Sequence, residues 1–352
     1  MAERSWEVDE TELCRVDWDE FRAIARHFRL AGVIYHTAKK SPQFPVEKIG
    51  TWRSALIQHG VLNVRQRRKL LQMLSDLRAR GVQARPFKGL VLAEMLYAEL
   101  AVRPTTDFDL YVPFEGAKET ADYFISGGYK SPYFDTNIPA PIFDKVYSVE
   151  LFHPVRKDYI DIHWELTDGY AALPFSSEEL MQRILDLPFE EASLTCFDDT
   201  VTAALIAVHG AKNSWDQLVS LLDLALFFRK RPDFDYAGLV GRLHRCGISR
   251  MLLVGAHLVH QFDLADVPDV LLNYDRRSAH IARRIARQLT DDPLLPSPRR
   301  WGKVALNLAF RESMRTKLSY IAFKMQPKKV DLAGSSLEKA SLTWLRRIAG
   351  MS

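Results

Sequence analysis

Cysteine is scarce in this chain: Cys14, Cys196 and Cys246 are odd in number, widely spaced and form no thiolate metal pattern. That excludes a disulfide framework and points to a reduced, cytoplasmic setting. No apolar run is long enough to span a bilayer, and the start lacks the basic-then-apolar order of a signal peptide. Strong net charge is missing too. The 48 Lys and Arg against 44 Asp and Glu leave only +4, which argues against a long nucleic acid partner and allows, without requiring, a small anionic ligand. There is no internal repeat and no low-complexity domain. What is present is the apolar fraction of an ordinary globular protein, 47%, and a length that fits one large core or two domains. Charge is unevenly spread: the first twenty residues are acidic, and residues 311–352 are basic.

Apolar periodicity predicts a helix over 16–39 and a longer one over about 51–80, with Gly81 as its stop. The Arg65–Lys69 run within the second helix reads as a solvated face. Val82 to Phe87 fits a short strand. Lys88-Gly89 follows at once and opens a helix-forming run to Leu100. A helix is expected over about 115–126, then a loop or edge segment from Tyr129 to Phe143. Val146–Phe152 and Asp158–Glu165 fit neighbouring antiparallel strands. The remainder is mainly helical, with patterns at 176–185, from Asp198 or Asp199 as cap, and over 218–228, 235–246, 249–261, 273–289 and 301–325. The pattern over 301–325 reads as a helix docked on the protein, with a membrane-surface helix as the alternative. These patterns divide the chain into an N-terminal helical region (1–80), an α/β core (81–175), a helical domain (176–325) and a tail with a short helix (326–352).

The chemistry centres on Arg103-Pro104-Thr105-Thr106-Asp107-Phe108-Asp109-Leu110-Tyr111-Val112. In a strand Asp107 and Asp109 share one face, roughly 6.5–7 Å apart at Cα, while Phe108 and Leu110 take the packed face. An ordinary half-exposed strand would read the same way. A second strand of this grammar, Tyr159-Ile160-Asp161-Ile162-His163-Trp164, adds another carboxylate. Three carboxylates converging would repel one another unless a cation lay between them. Their all-oxygen chemistry suits Mg²⁺ or Mn²⁺ and not structural zinc. Such ions bind nucleotide phosphates and promote phosphoryl or nucleotidyl transfer. Lys88-Gly89, placed just before a helix N-terminus, is a phosphate-binding candidate.

Phe87-Lys88-Gly89, Leu96-Tyr97, the Arg103–Val112 stretch and Asp161-Ile162-His163-Trp164 resemble the uncharacterised nucleotidyltransferase family of the DNA polymerase β-like superfamily. His209-Gly210-x-Lys212, Trp215 and Leu222-Asp223-Leu224 resemble its helical second half, so the likeness covers roughly residues 55–260. It implies an α+β fold: a small mixed β-sheet nucleotidyltransferase core with N-terminal helices and a larger C-terminal helical domain. It implies Asp107, Asp109 and Asp161 as catalytic metal ligands, with Asp109 and Asp161 placed to activate an acceptor hydroxyl. The superfamily more commonly has Gly-Ser or Gly-Gly where Lys88-Gly89 stands, so a lysine charge replaces a hydroxyl there.

The expected reaction moves NMP from an NTP, ATP by default, to a hydroxyl or phosphate of a small-molecule, peptide or protein acceptor and releases pyrophosphate. Phosphotransfer, or a catalytically silent nucleotide-binding or protein-interaction module, is the alternative. Lys88, Gly89, Arg103, His163 and Lys212 are the further nucleotide-binding candidates. For Arg103 the competing role is a structural ion pair, for His163 a satisfied structural histidine, and for Lys212 a solvent-facing ion pair. Asp223 reads as a buried structural group and Trp215 as core.

Overall fold

Strand pairing brings the distant acidic segments together. The computed structural model describes residues 13–41, 44–97, 99–131, 146–167, 173–189, 192–291 and 300–325. β1 (Arg85–Phe87), β2 (Asp107–Tyr111), β3 (Ser148–His153) and β4 (Asp158–His163) form a mixed sheet in the order β1-β2-β4-β3. β2 runs parallel to β4; β1–β2 and β3–β4 are antiparallel. The fold is α+β, with N-terminal helices and a larger C-terminal helical region around this sheet.

The period of two fixes which face is dry. Phe108, Leu110, Ile160 and Ile162 are buried in one cluster with Leu90, Val91 and Leu92 of α4 (Gly89–Leu96) and Ala117, Ala121 and Phe124 of α5 (Phe114–Ser126). α4 is apolar nearly all round, as a helix enclosed on every side must be. The same hydrophobic core continues into the C-terminal helices and reaches Tyr320.

The single helix expected over 16–39 is two: α1 (Trp18–His27) and α2 (Ala31–Ala38). Arg29 takes a left-handed φ of 58°, and Leu30 N–H donates to the Ala25 carbonyl at 2.8 Å, closing α1. The break lets α2 lie against the segment before β2. A Cβ at Gly32 would sit 2.9 Å from the Val102 carbonyl oxygen, so the approach requires glycine. α3 (Trp52–Ala79) carries the basic run. Arg65 and Arg68 are exposed as expected, but Arg67 pairs with Glu94 at 2.9 Å and Lys69 pairs with Asp158.

Beyond the sheet come α6 (Ser177–Gln182), a hairpin of β5 (Ile184–Phe189) and β6 (Ala192–Phe197), α7 (Asp199–Lys212), α8 (Leu218–Lys230), α9 (Tyr236–Arg245), α10 (Ser249–Gln261), α11 (Asp269–Leu272), α12 (Arg276–Asp291), α13 (Arg300–Ala309) and α14 (Met314–Lys324). The hairpin replaces the expected end of a helix. Its alternation is short and carries Pro188, which hides the strand signal. Asp198 is the cap of α7, accepting from Val201 N–H at 2.9 Å. The single helix expected over 301–325 divides where Phe310 and Arg311 are buried and Ser313 caps α14. The expected terminal helix in 326–352 and most of the Tyr129–Phe143 loop lie outside the described residues.

Candidate active site

A cleft of about 430 Å³ is lined by one face of the sheet, the segment Arg103–Thr106, α7 and the α13–α14 junction. Its acidic floor follows from register. Asp109 of β2 lies directly beside Asp161 of β4 in the parallel pair, and neighbouring strands are only about 4.8 Å apart. His163 stands two residues after Asp161 on the same face. Its Nε2 is 2.9 Å from Asp161 Oδ2 and 3.2 Å from Asp109 Oδ1. One ligand atom from each of Asp109, Asp161 and His163 lies within 4.8 Å of the others, a group that could hold a divalent cation.

Asp107 lines the same cleft but is not a member of that group. It is exposed at the start of β2, and Thr106 Oγ1 donates to its Oδ1 at 3.1 Å. The sequence pattern places Asp107 and Asp109 on one face, as found; it carries no sign that His163 would stand closer to the Asp109–Asp161 pair than Asp107 does.

Lys88 completes the charge balance. Its Nζ donates to Asp109 Oδ1 at 2.8 Å. Burial pushes the Asp109 carboxyl up, but the Lys88 ammonium and the His163 ring outweigh it and hold its pKa well below the usual carboxylate range. Burial pulls the His163 imidazole down, and the charge of Asp161 with hydrogen bonds to both carboxylates raises it overall. Burial likewise opposes the Lys88 charge, while Asp109, Asp161 and Asp107 raise its pKa. Asp107 is shifted the other way from Asp109: desolvation by the cleft walls and then the Asp109 charge push it up.

Lys88 caps α4 with φ 55° and ψ −143°, an uncommon conformation for a side-chain-bearing residue. Gly89 follows at φ 29°, where a Cβ would come 3.3 Å from the Asp107 carbonyl oxygen. The turn therefore presses the first amides of α4 against the acidic strand, and those amides lack intrahelical acceptors. Arg103 holds the turn from behind. Its Nη1 donates to the Gly89 carbonyl at 3.1 Å. Its Nε and Nη2 donate to Asp223 Oδ1 and Oδ2 of α8, each at 2.9 Å, and Tyr97 OH donates to Oδ1 at 2.8 Å. The guanidinium lines the cleft but is committed to an ion pair.

Lys212 is exposed on the cleft wall, with Nζ 3.4 Å from Tyr147 OH and 5.7 Å from its ring centroid. His209, one turn earlier on α7, is reached by water yet ringed by protein. Desolvation and then the Lys88 charge push its pKa down to about 4. Trp215 is fully buried and takes no part in the lining. Arg29, Tyr147, Glu150, Asn307 and Arg311 line the cleft without having been anticipated. They come from segments separated by up to hundreds of residues, and no local pattern marks them.

A strained Lys-Gly turn faces an Asp-x-Asp strand and a parallel Asp-x-His strand, backed by helices, the arrangement that the resemblance to the DNA polymerase β-like nucleotidyltransferase class implies. The chain belongs to the uncharacterised nucleotidyltransferase family, whose model matches residues 15–262, well over half of it. No curated protein matches the sequence. Membership supports a nucleotidyltransferase-type reaction in general terms; α11 to α14, and with them Asn307 and Arg311, lie beyond the match. Among the described residues no helix is long and apolar enough to cross a membrane.

Proposed function

We propose that this protein is a metal-dependent enzyme that moves NMP from an NTP to a hydroxyl or phosphate of a small-molecule, peptide or protein acceptor. The observation that carries this reading is the in-register meeting of Asp109 and Asp161 beside His163 at the floor of a cleft whose wall is the Lys88-Gly89 turn. The donor set fits Mg²⁺ or Mn²⁺. Carboxylate oxygens predominate, and the pair already draws the Lys88 ammonium and the His163 ring to itself, part of the compensation a divalent ion would supply. Asp109 and Asp161 would hold the ion, with Asp107 at the lip and His163 steadying both carboxylates. When bound, the ion would neutralise the phosphates and the departing pyrophosphate.

The chain's own groups supply alignment and charge. Gly89 and the amides after it would receive the triphosphate, with the Lys88 ammonium beside them, and Lys212 would reach it from α7. An acceptor oxygen would attack the α-phosphorus, the bond from that phosphorus to the β-phosphate bridging oxygen would break, and pyrophosphate would leave with that electron pair. For a hydroxyl acceptor the proton would pass to Asp161. It is the more accessible of the paired carboxylates, at 24% side-chain exposure against 7% for Asp109. Arg103 would act through Gly89 and not on phosphate, because Asp223 holds its guanidinium.

The test is to incubate the protein with Mg²⁺ or Mn²⁺, each NTP and a panel of acceptors, and to weigh the products. An acceptor heavier by one NMP, with pyrophosphate released, is the expected result. Addition of a single phosphate would identify a phosphotransferase, and binding of NTP without any product would identify a silent nucleotide-binding module.

A further inference from the structure

The outer face of α14 is apolar where a soluble surface helix is ordinarily polar. Met314, Leu318, Ile321 and Met325 are 67%, 59%, 40% and 52% exposed. At 3.6 residues per turn they fall within an arc of roughly 60° along about 16 Å of helix. The opposite side faces the protein: Tyr320 is 2% exposed and Phe323 packs against the main core. Apolar residues scattered singly on a surface need no explanation, but a continuous stripe marks a contact.

Charge says what kind of contact. Arg315 flanks the stripe on one side and Lys317 and Lys324 on the other, as helical geometry requires. No Asp or Glu occurs from Ser313 through Val330, whereas Arg315, Lys317, Lys324, Lys328 and Lys329 do. Pairing this face with the same face of a second copy would bring cations together with no acid between them. A protein pocket is usually anchored by an aromatic side chain at the centre of the interface, and this stripe is wholly aliphatic and thioether. A bilayer surface asks for less: an apolar strip shallow enough for the headgroup boundary, with long cationic side chains flanking it at headgroup level.

We propose that α14 is a docking face for an anionic lipid bilayer, on which the protein lies peripherally. Met314, Leu318, Ile321 and Met325 enter the headgroup–acyl boundary, and Arg315, Lys317 and Lys324 meet the lipid phosphates. This inference is independent of the reaction assigned to the cleft, since none of these residues lines it.

The experiment is co-sedimentation of the full chain with two kinds of vesicle, phosphatidylcholine alone and phosphatidylcholine mixed with phosphatidylglycerol. The wild-type protein should pellet with the mixed vesicles only and be released by salt. Leu318→Gln with Ile321→Gln should weaken partitioning by about tenfold or more, and Arg315→Glu with Lys324→Glu should do so as well while leaving the stripe intact. Leu318 and Ile321 are exposed, so the melting temperature should not move in the glutamine variant. Failure of the wild-type protein to bind the mixed vesicles overturns the proposal, as does equal binding by both variants. A dimer in solution that the glutamine variant disperses, without vesicle binding, would reassign the face to self-association.

Discussion

Asp109 and Asp223 are both buried carboxylates facing a cation, at 7% and 4% exposure, yet they are built differently. Asp223 uses both oxygens: the fork of Arg103 takes Oδ1 and Oδ2, and Tyr97 adds a bond to Oδ1. Such a bidentate, fully committed pair fixes geometry and offers nothing to a ligand. Asp109 receives Lys88 and His163 on Oδ1 alone, and among the described residues nothing hydrogen-bonds its Oδ2. Its cation is a lysine, a point charge on a flexible stem that can move aside. A saturated ion pair is architecture; a carboxylate with one oxygen in reserve, on the floor of a cleft, is what the proposed reaction would use.

Breaking each pair in turn should give opposite phenotypes. Asp109→Asn should lower metal-dependent turnover by at least about a hundredfold, the scale of losing one charge-stabilising group at a transition state. Lys88, with 21% of its side chain exposed, can turn to water, so thermal unfolding should show a fold nearly as stable as the parent. Full turnover in this variant would remove Asp109 from the reaction.

Asp223→Asn should do the reverse. It leaves the Arg103 guanidinium buried against a neutral amide, and breaking a buried pair costs about 3–5 kcal/mol. Urea titration reads this directly. Whatever folded protein remains should bind NTP more weakly, because Arg103 braces the Gly89 carbonyl, while metal affinity at Asp109 and Asp161 changes little. An Asp223→Asn protein as stable as the parent would collapse the distinction drawn between the two carboxylates.

A third break is smaller and concerns the approach to β2. Asn63, fully buried on α3, donates from Nδ2 to the Leu100 and Arg103 carbonyls at 2.6 and 3.0 Å. Its Oδ1 lies 2.5 Å from Thr105 Oγ1. Asn63→Ala would leave those part-buried carbonyls without their donor, a cost of about 1 kcal/mol. Chemical denaturation should show that loss. Unchanged stability would mean the Arg103–Thr106 segment is held by other means.

The division between architecture and proposed site was only partly legible in the sequence. Alternation in β2 correctly assigns Phe108 and Leu110 to the core and both aspartates to the other face, because side-chain period is a local property. The residues that resemble the family mark Lys88, Gly89 and Asp161, and that resemblance also implies the α+β class. Register between β2 and β4 is a property of two distant segments, so nothing local indicates that Asp161 stands beside Asp109 or that His163 bonds to both. The pairing of Arg103 with Asp223 spans 120 residues, and only their burial in a common place reveals it. The breaks at Arg29 and at Phe310–Ser313 were hidden for a related reason. Apolar periodicity continues across each break, while a left-handed residue at Arg29 and a cap at Ser313 end one helix and begin the next.

Two histidines allow the finest test of how neighbours set charge in this cleft. His163 is held among carboxylates and its pKa is raised; burial first, and then the Lys88 charge, push the pKa of His209 down to about 4. An unfolded histidine titrates near 6.5. Because the folded value of His209 is the lower, protonation favours the unfolded chain. Its contribution to stability is therefore present above about pH 6.5 and is lost as pH falls towards 4. His163 has the opposite sign: its contribution is present below the unfolded pKa and fades as pH rises through the raised folded value. In metal-free protein, ring signals followed by NMR should show His209 still neutral at pH 5 and His163 still protonated above pH 6.5. His209→Gln should flatten part of the acid limb of the stability curve and leave the alkaline limb alone. Two rings titrating together near 6.5 would mean that neither burial nor the Lys88 and carboxylate charges set their protonation.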